Sequence, residues 1–305
     1  MGKNTSIGWT HIPGYEPATW NPAAAYRKDN GKRGWHCVKH NKDCLNCYAE
    51  SLNMRLGTGL PFSKSSGDKI EIRLVNLDLP TRTTKPTCWF SESMSDLFGE
   101  FMADDQIKTI IDVMINCPRH LFLNLTKRWD RQRDFLSKHY PNMADFPWIW
   151  WGGSAGHQAA LDEVAPALLK TPAAVRFLSV EPLLESVKIT PYVGHNAYHC
   201  KCGWHDTEHA IMGYGHDRKT QSPKQALCVK CGEEAKVYLA LDWIIAGGES
   251  GKDRRDCGPD AICSVATQSV ECGVPVFVKQ DSALLPGTQG RIPKDIWALK
   301  QFPTP

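Results

Sequence analysis

The chain has 305 residues, 42% hydrophobic, 23% charged and 10% aromatic, an ordinary globular composition sufficient for one large domain or two small ones. No run of about 18 apolar residues occurs, which argues against a membrane-spanning helix. A net charge of +3 and a pI near 8.2 are too mild to demand a nucleic-acid partner, although they permit one.

The opening "MGKNTS" fits a myristoylation pattern at Gly2, but no polybasic or second lipid signal follows it. No basic-then-apolar leader is present, so we expect a cytoplasmic protein. Twelve cysteines are too sparse for a disulfide-stapled secreted domain. Seven of them cluster, which favours metal ligation over disulfides. The scattered Cys88, Cys117, Cys257, Cys263 and Cys272 read mostly as core fillers.

The first cluster is "CVKHNKDCLNCYAE", with Cys37, Cys44 and Cys47 leading into a helical pattern of Tyr48, Ala49, Leu52 and Leu56 that Gly57 should stop. Three readings stay open on the residues alone. A structural zinc site could be completed by His36 or His40. "CLNC" could be a redox pair. The third reading is a [4Fe–4S] cluster with three protein ligands, whose fourth iron is left for a small chelating ligand.

Short apolar runs then recur, several of them separated by helical patterns. They are "TCWFSESMSDLF" (87–98), "HLFLNLTKR" (120–128), "PWIWWGGSAG" (147–156), "VRFLSVEPLL" (175–184), "LDWIIAGGESG" (241–251) and "PVFVKQD" (275–281). Ile107, Ile110, Ile111 and Met114 share one helical face, with Pro118 as the stop. Leu161, Val164, Ala165, Leu168 and Leu169 share another, and Ile262, Val265 and Val270 a third. Near-continuous apolar strands are the mark of a parallel sheet covered on both faces. We therefore expect an α/β fold, a full or partial parallel (β/α) TIM-like barrel, and no Gly-x-Gly-x-x-Gly suggests a dinucleotide fold instead. "WIWW" reads as strand core rather than a base-stacking platform, since only about one alternate position could face a cavity.

Each run ends in groups able to do chemistry: Ser91, Ser93 and Asp96; Thr126, Lys127 and Arg128; Ser154 and His157; Glu181; Glu249 and Ser250; Lys279 and Gln280. In parallel barrels the C-terminal strand ends line the site. Six successive strands ending this way suggest a lined cavity, and a charge such as Glu181 beside an apolar run needs a partner.

Residues 191–240 break the rhythm and read as an inserted zinc-ribbon module, leaving 1–190 and 241–305 as one barrel. Cys200 and Cys202, then Cys228 and Cys231, are each followed by a glycine suited to a tight turn, and four thiolates would saturate a structural Zn2+. His199 could replace one of them. So small a ribbon would rely on its metal to fold, and it could brace the barrel or touch nucleic acid.

Three cysteines on a loop before the first helix of a parallel barrel, the last two as C-x-x-C, resemble the radical S-adenosylmethionine superfamily. The likeness extends to a branch of radical-SAM-like proteins carried by phages and prophages, through "SIGWT", "TWNP", "CLNCYAE", "SMSDLF", "LTKR", "AAVRFLSVEPLL", "DWIIAGGESG" and "GVPVFVKQ" in that order. The resemblance implies a [4Fe–4S] cluster on Cys37, Cys44 and Cys47, with S-adenosylmethionine at the open iron. Reductive cleavage of that cofactor would generate a 5′-deoxyadenosyl radical. It further implies cofactor contacts from Ser91, Ser93, Asp96, Ser154 and Glu181, and substrate chemistry by Glu181, Glu249, Lys127 and Lys279. Lys127 and Arg128 would suit a carboxylate or phosphate.

An external electron donor, flavodoxin- or ferredoxin-like, is the implied partner, and the substrate is expected to be a nucleotide or nucleic-acid base. The chain departs from the superfamily pattern in three places. Six residues separate Cys37 from Cys44 where three are usual, Asn46 stands where an aromatic often precedes the third cysteine, and "GGE" (Gly247, Gly248, Glu249) ends a late strand rather than the second. The alternative is a non-catalytic, zinc-containing nucleic-acid-binding protein.

Overall fold

The computed structural model describes residues 5–193 and 241–303, together with four short strands between them. The N-terminal elements are β1 (Glu16–Trp20), β2 (Ala23–Arg27), β3 (Arg33–Gly34), α1 (Tyr48–Leu56), α2 (Lys64–Gly67), β4 (Ile70–Leu74) and α3 (Leu79–Arg82). Then come β5 (Thr87–Ser91), α4 (Asp104–Ile115), β6 (Leu121–Thr126), α5 (Trp129–His139), β7 (Ile149–Ser154), α6 (Gln158–Leu169) and β8 (Val175–Leu183). After the short strands β9 (Ala197–His199), β10 (His205–Asp206), β11 (Ala226–Leu227) and β12 (Glu234–Tyr238), the chain ends with β13 (Trp243–Gly248), α7 (Pro259–Glu271), β14 (Val276–Gln280) and α8 (Lys294–Trp297).

Seven of these strands form one parallel sheet in the order β1-β5-β6-β7-β8-β13-β14. The sheet curls into a half-barrel with helices outside, so the expected α/β architecture holds in its partial form. Every apolar run singled out in the sequence is a strand of this sheet. Its first strand, β1, was not among them, because "EPATW" is too short and too polar to stand out.

Alternate residues face opposite sides of the sheet. Trp89, Phe122 and Trp151 point outward and pack with Ile107, Ile110, Ile111 and Met114 of α4, while Leu178, Val180, Ile244 and Val276 meet the apolar faces of α6 and α7. Cys88, Phe90, Leu121, Leu123, Trp150, Phe177, Trp243, Ile245 and Phe277 point inward. Among the described residues no α-helix covers this inner face. The 3-10 turn Gly8–Thr10 does so instead, inserting Trp9 with ring centroids 4.6 Å from Phe90, 6.1 Å from Phe177 and 6.2 Å from Trp243.

Helix boundaries follow the sequence signals closely. α1 spans Tyr48–Leu56 with Gly57 as its C-cap, and α4 ends at Ile115 with Asn116 as its C-cap, two residues before Pro118. One expectation needs correcting: Val270 is exposed, and α7 instead buries Ala261, Ile262, Val265, Ala266 and Ser269. Cys88 and Cys117 are buried, as fillers should be, whereas Cys257, Cys263 and Cys272 are half-buried. The Ile149, Trp150 and Trp151 side chains are fully buried in the sheet, as strand core requires.

Two smaller sheets accompany the main one. β3-β2-β4 is antiparallel; β2 and β3 lead the chain from β1 into the cysteine loop, and β4 follows it. β10-β9-β12-β11 is also antiparallel and lies in sequence between β8 and β13. The expected zinc ligands Cys200, Cys202, Cys228 and Cys231 lie outside the described residues.

Candidate functional site

The loop of residues 35–47 runs across the C-terminal ends of the parallel strands, and each of its cysteines has a polar anchor beside it. Next to Cys37, the buried Arg128 at the end of β6 donates to Val38 O and brings Nη1 to 3.9 Å from Cys37 Sγ. One residue earlier on the loop, His36 O accepts from Ser95 Oγ at 2.6 Å. Next to Cys44, the Asp43 carboxylate accepts from Gly156 N and meets His157 Nδ1, both at 2.9 Å, in the turn that follows β7.

Next to Cys47, Asn46 Nδ2 donates to Glu249 Oε2 at 3.0 Å and to Asp253 O at 2.6 Å. Glu249 is itself gripped by Arg255, whose Nη1 also donates to Lys42 O at 2.7 Å. Tyr48, at the start of α1, donates its hydroxyl to Ser93 O past the end of β5. Gly156 is required where it stands, because a Cβ there would meet Pro182 O at 2.0 Å. The loop is thus fastened to β5, β6, β7 and β13, all at the same end of the half-barrel.

Below the loop, the inward-facing positions change from apolar to polar. Val175, Phe177, Ser179 and Glu181 show the change along β8, and Leu121, Leu123 and Leu125 followed by Lys127 show it along and just past β6. Ser154 accepts from Lys127 Nζ and donates to Glu181 O at 2.9 Å. Ser179 Oγ donates to Glu181 Oε2 at 3.2 Å, and Lys279 Nζ lies 3.1 Å from Glu181 Oε1. Gly247 leaves room for that carboxylate, since a Cβ there would come within 2.5 Å of Glu181 Oε1. Four residues singled out on separate runs, Lys127, Ser154, Glu181 and Lys279, therefore converge in one layer.

The other candidates sit elsewhere. Asp96 is buried and saturated: Oδ1 accepts from Thr126 Oγ1 at 2.6 Å and Phe98 N at 3.0 Å, and Oδ2 from Lys127 N at 3.1 Å and Arg128 Nη1 at 3.3 Å. It ties β5 to β6. Ser93 Oγ shares hydrogen bonds with Asn21 at 3.1 and 3.3 Å. Ser91 is buried on the outward side of β5 with no hydrogen-bond partner for its Oγ. Glu249 faces Asn46 and Arg255 and acts as a loop anchor.

Sequence reading passed over Glu92, next to Ser91. It is buried at a φ of +52°, a strained value for a residue with a side chain, and its Oε1 accepts from Ala23 N at 2.7 Å. Oε2 has no partner. Burial pushes the carboxyl up to about 8, against the opposing pull of the Ala23 hydrogen bond. The quoted motif "SESMSD" held the only signal, a charged residue at the end of an apolar strand.

Cys37, Cys44 and Cys47 are free thiols and half-exposed. Burial raises the Cys37 and Cys47 thiols; at Cys37 Asp96 adds to the shift and Arg128 opposes it, and the neighbouring cysteines raise each a little, so the sulfurs sense one another. Binding a metal would have to displace those protons. Among the described residues, no group of three His, Cys, Asp or Glu side chains is arranged to hold a single metal ion. In kind and number, three thiols on one anchored loop fit a cluster in which each iron takes one thiolate and one iron stays open. They do not supply the four ligands that a closed structural zinc takes.

A family model described as "Protein of unknown function (DUF5131)" matches residues 4–295. No curated protein and no solved structure matches the chain.

Proposed function

We propose that this chain, which belongs to the DUF5131 family, is a radical S-adenosylmethionine enzyme that holds a [4Fe–4S] cluster on Cys37, Cys44 and Cys47. The observation that carries this reading is the anchoring of a three-thiol loop over the C-terminal mouth of a parallel half-barrel, directly above the Lys127–Ser154–Glu181–Lys279 layer. When bound, the cluster and cofactor would supply one-electron cleavage of the sulfonium and hydrogen abstraction from the substrate.

The chain's own residues would do the rest. Arg128, Asp43 and Asn46 hold the loop at three points, which limits the freedom of the thiols. Lys127 and Lys279 present two ammonium groups to an anionic group of substrate or cofactor, and Glu181 accepts from a hydroxyl or amine. The apolar floor built on Trp9, Phe90 and Phe177 keeps water from entering beneath. An external one-electron donor would be needed, and we take a nucleotide or nucleic-acid base as the substrate class. Among the described residues no helix is long and apolar enough to cross a membrane.

The antiparallel β9–β12 sheet supports a structural zinc as a separate site. In sequence, Cys200 and Cys202 fall between its paired strands β9 and β10, and Cys228 and Cys231 between β11 and β12.

Metal analysis and an ultraviolet–visible spectrum of protein purified without oxygen test the reading. We expect a brown protein with about four iron and one zinc per chain, whose absorption near ~400 nm is lost in Cys44→Ala. Reductant-driven release of methionine and 5′-deoxyadenosine is the second expected result. Zinc alone, near two per chain, together with salt-dependent binding to DNA or RNA, would replace this reading with the non-catalytic nucleic-acid-binding one.

A further inference from the structure

Among the described residues, Arg128 is the one cation whose side chain comes within 4 Å of a cysteine sulfur. Its Nη1 lies 3.9 Å from Cys37 Sγ and 3.3 Å from Asp96 Oδ2, and its Nη2 donates to Val38 O and lies 3.5 Å from Glu100 Oε2. The side chain is 5% exposed, and its Nε is buried without a partner. A buried guanidinium normally has its N–H groups hydrogen-bonded, to carboxylates or to backbone carbonyls. Here Asp96 spends most of its acceptor capacity on Thr126, Phe98 and Lys127, so it neutralises Arg128 without saturating it. Glu100 is 59% exposed and screened by water. The guanidinium is therefore positioned by the end of β6 to place a positive charge beside the first thiol of the loop, where the Asp96 carboxylate opposes it.

We propose that Arg128 is a positioning and charge-balancing residue for whatever redox group Cys37 holds, raising its reduction potential through a hydrogen bond and a positive charge at Cys37 Sγ. This rests on the cluster reading above and goes further, by naming the residue that sets how easily the group is reduced. The physical reason is that reduction adds one negative charge to the bound group. A cation at the ligating sulfur in a site of low polarity stabilises the reduced form over the oxidised one. The Asp96 carboxylate, bound to the same Nη1, opposes the effect.

The test is an anaerobic redox titration of the reconstituted full-length protein, followed by electron paramagnetic resonance, with iron content measured in parallel. Arg128→Gln should retain iron while its reduction equilibrium falls at least tenfold, which for a one-electron couple is 59 mV. Arg128→Lys should recover most of the loss. Asp96→Asn and Glu100→Gln should move the potential the opposite way, upward, and the exposed Glu100 offers a substitution that does not threaten folding. Loaded Arg128→Gln with the wild-type potential, or a Glu100→Gln shift in the same direction as Arg128→Gln, would overturn the inference while leaving the cluster reading intact. Wild-type protein that takes up no iron would overturn both.

Discussion

Glu92 should make the folded chain lose stability as pH rises toward 8, in contrast to most acids in proteins. Its carboxyl is buried with only the Ala23 N–H for company, and burial raises it from 4.5 to about 8. Below about 4.5 the group carries its proton in both folded and unfolded chains and contributes no pH dependence. Between 4.5 and 8 the folded chain still binds that proton while the unfolded chain has released it, so stability falls with rising pH. Above about 8 both forms are ionised, and the full penalty is in place. A shift of roughly 3.5 units corresponds to about 5 kcal/mol across the window, or about 1.4 kcal/mol per pH unit.

Glu92→Gln keeps the acceptor for Ala23 and removes the proton equilibrium. Urea denaturation at pH 5.5, 6.5 and 7.5 should therefore show the variant gaining on wild type by about 1.4 kcal/mol at each step. Parallel pH curves for the two proteins would mean that Glu92 is ionised in the fold, and that the reasoning from burial is wrong.

Trp9→Ala should cost about 3–5 kcal/mol in denaturant unfolding, because the side chain is 2% exposed and fills the inner face against Phe90, Phe177 and Trp243. Gly247→Ala should displace the Glu181 carboxylate that would lie 2.5 Å from the new Cβ, costing about 1–3 kcal/mol and lowering any activity more than Lys279→Ala does, measured by unfolding and cofactor-cleavage assays together. Asn46→Ala should leave the fold intact by circular dichroism yet weaken iron retention against a chelator by roughly 10- to 100-fold, since it frees the loop from both Glu249 and Asp253.

How much of this could be read in the residues depended on the range of the interactions. The strands from β5 to β14 of the main sheet were legible because burial on both faces writes itself as unbroken apolar runs such as "LFLNLT" and "IWWGGS". α1, α4 and α6 were legible from their spacing and stops. β1 and the β2–β4 sheet were not, because "AAAYR" carries too little bulk to mark a strand, and its pairing with β4 spans about half a hundred residues of chain.

The polar layer was visible as four separate strand ends, since a parallel sheet with right-handed crossovers brings such ends together. The roles of Glu249, Asp96 and Asp43 as anchors were invisible, because a carboxylate looks the same in sequence whether it meets a substrate or a backbone N–H. Only the positions of Asn46 and Arg255, of Thr126 and Arg128, and of Gly156 and His157 assign them.

The unclosed sheet has a consequence for how the barrel's volume is set. In a fully closed barrel, strand number and stagger fix the radius, and any change in width must re-register a hydrogen-bonded ladder. Here β1 and β14 are the two ends of the sheet, and the N-terminal turn packs against both sides of the seam. The C-terminal segment pairs along β14, with Val278 N donating to Leu299 O at 2.9 Å and Gln301 N to Val276 O at 3.0 Å. The segments around Trp9 and around residues 299–302 thus serve as a wedge and a clasp. Substitutions in a handful of residues near Trp9 and Phe302 can alter the bore without disturbing any strand pairing, while the cysteine loop, fastened to β5, β6, β7 and β13, keeps its place over the mouth.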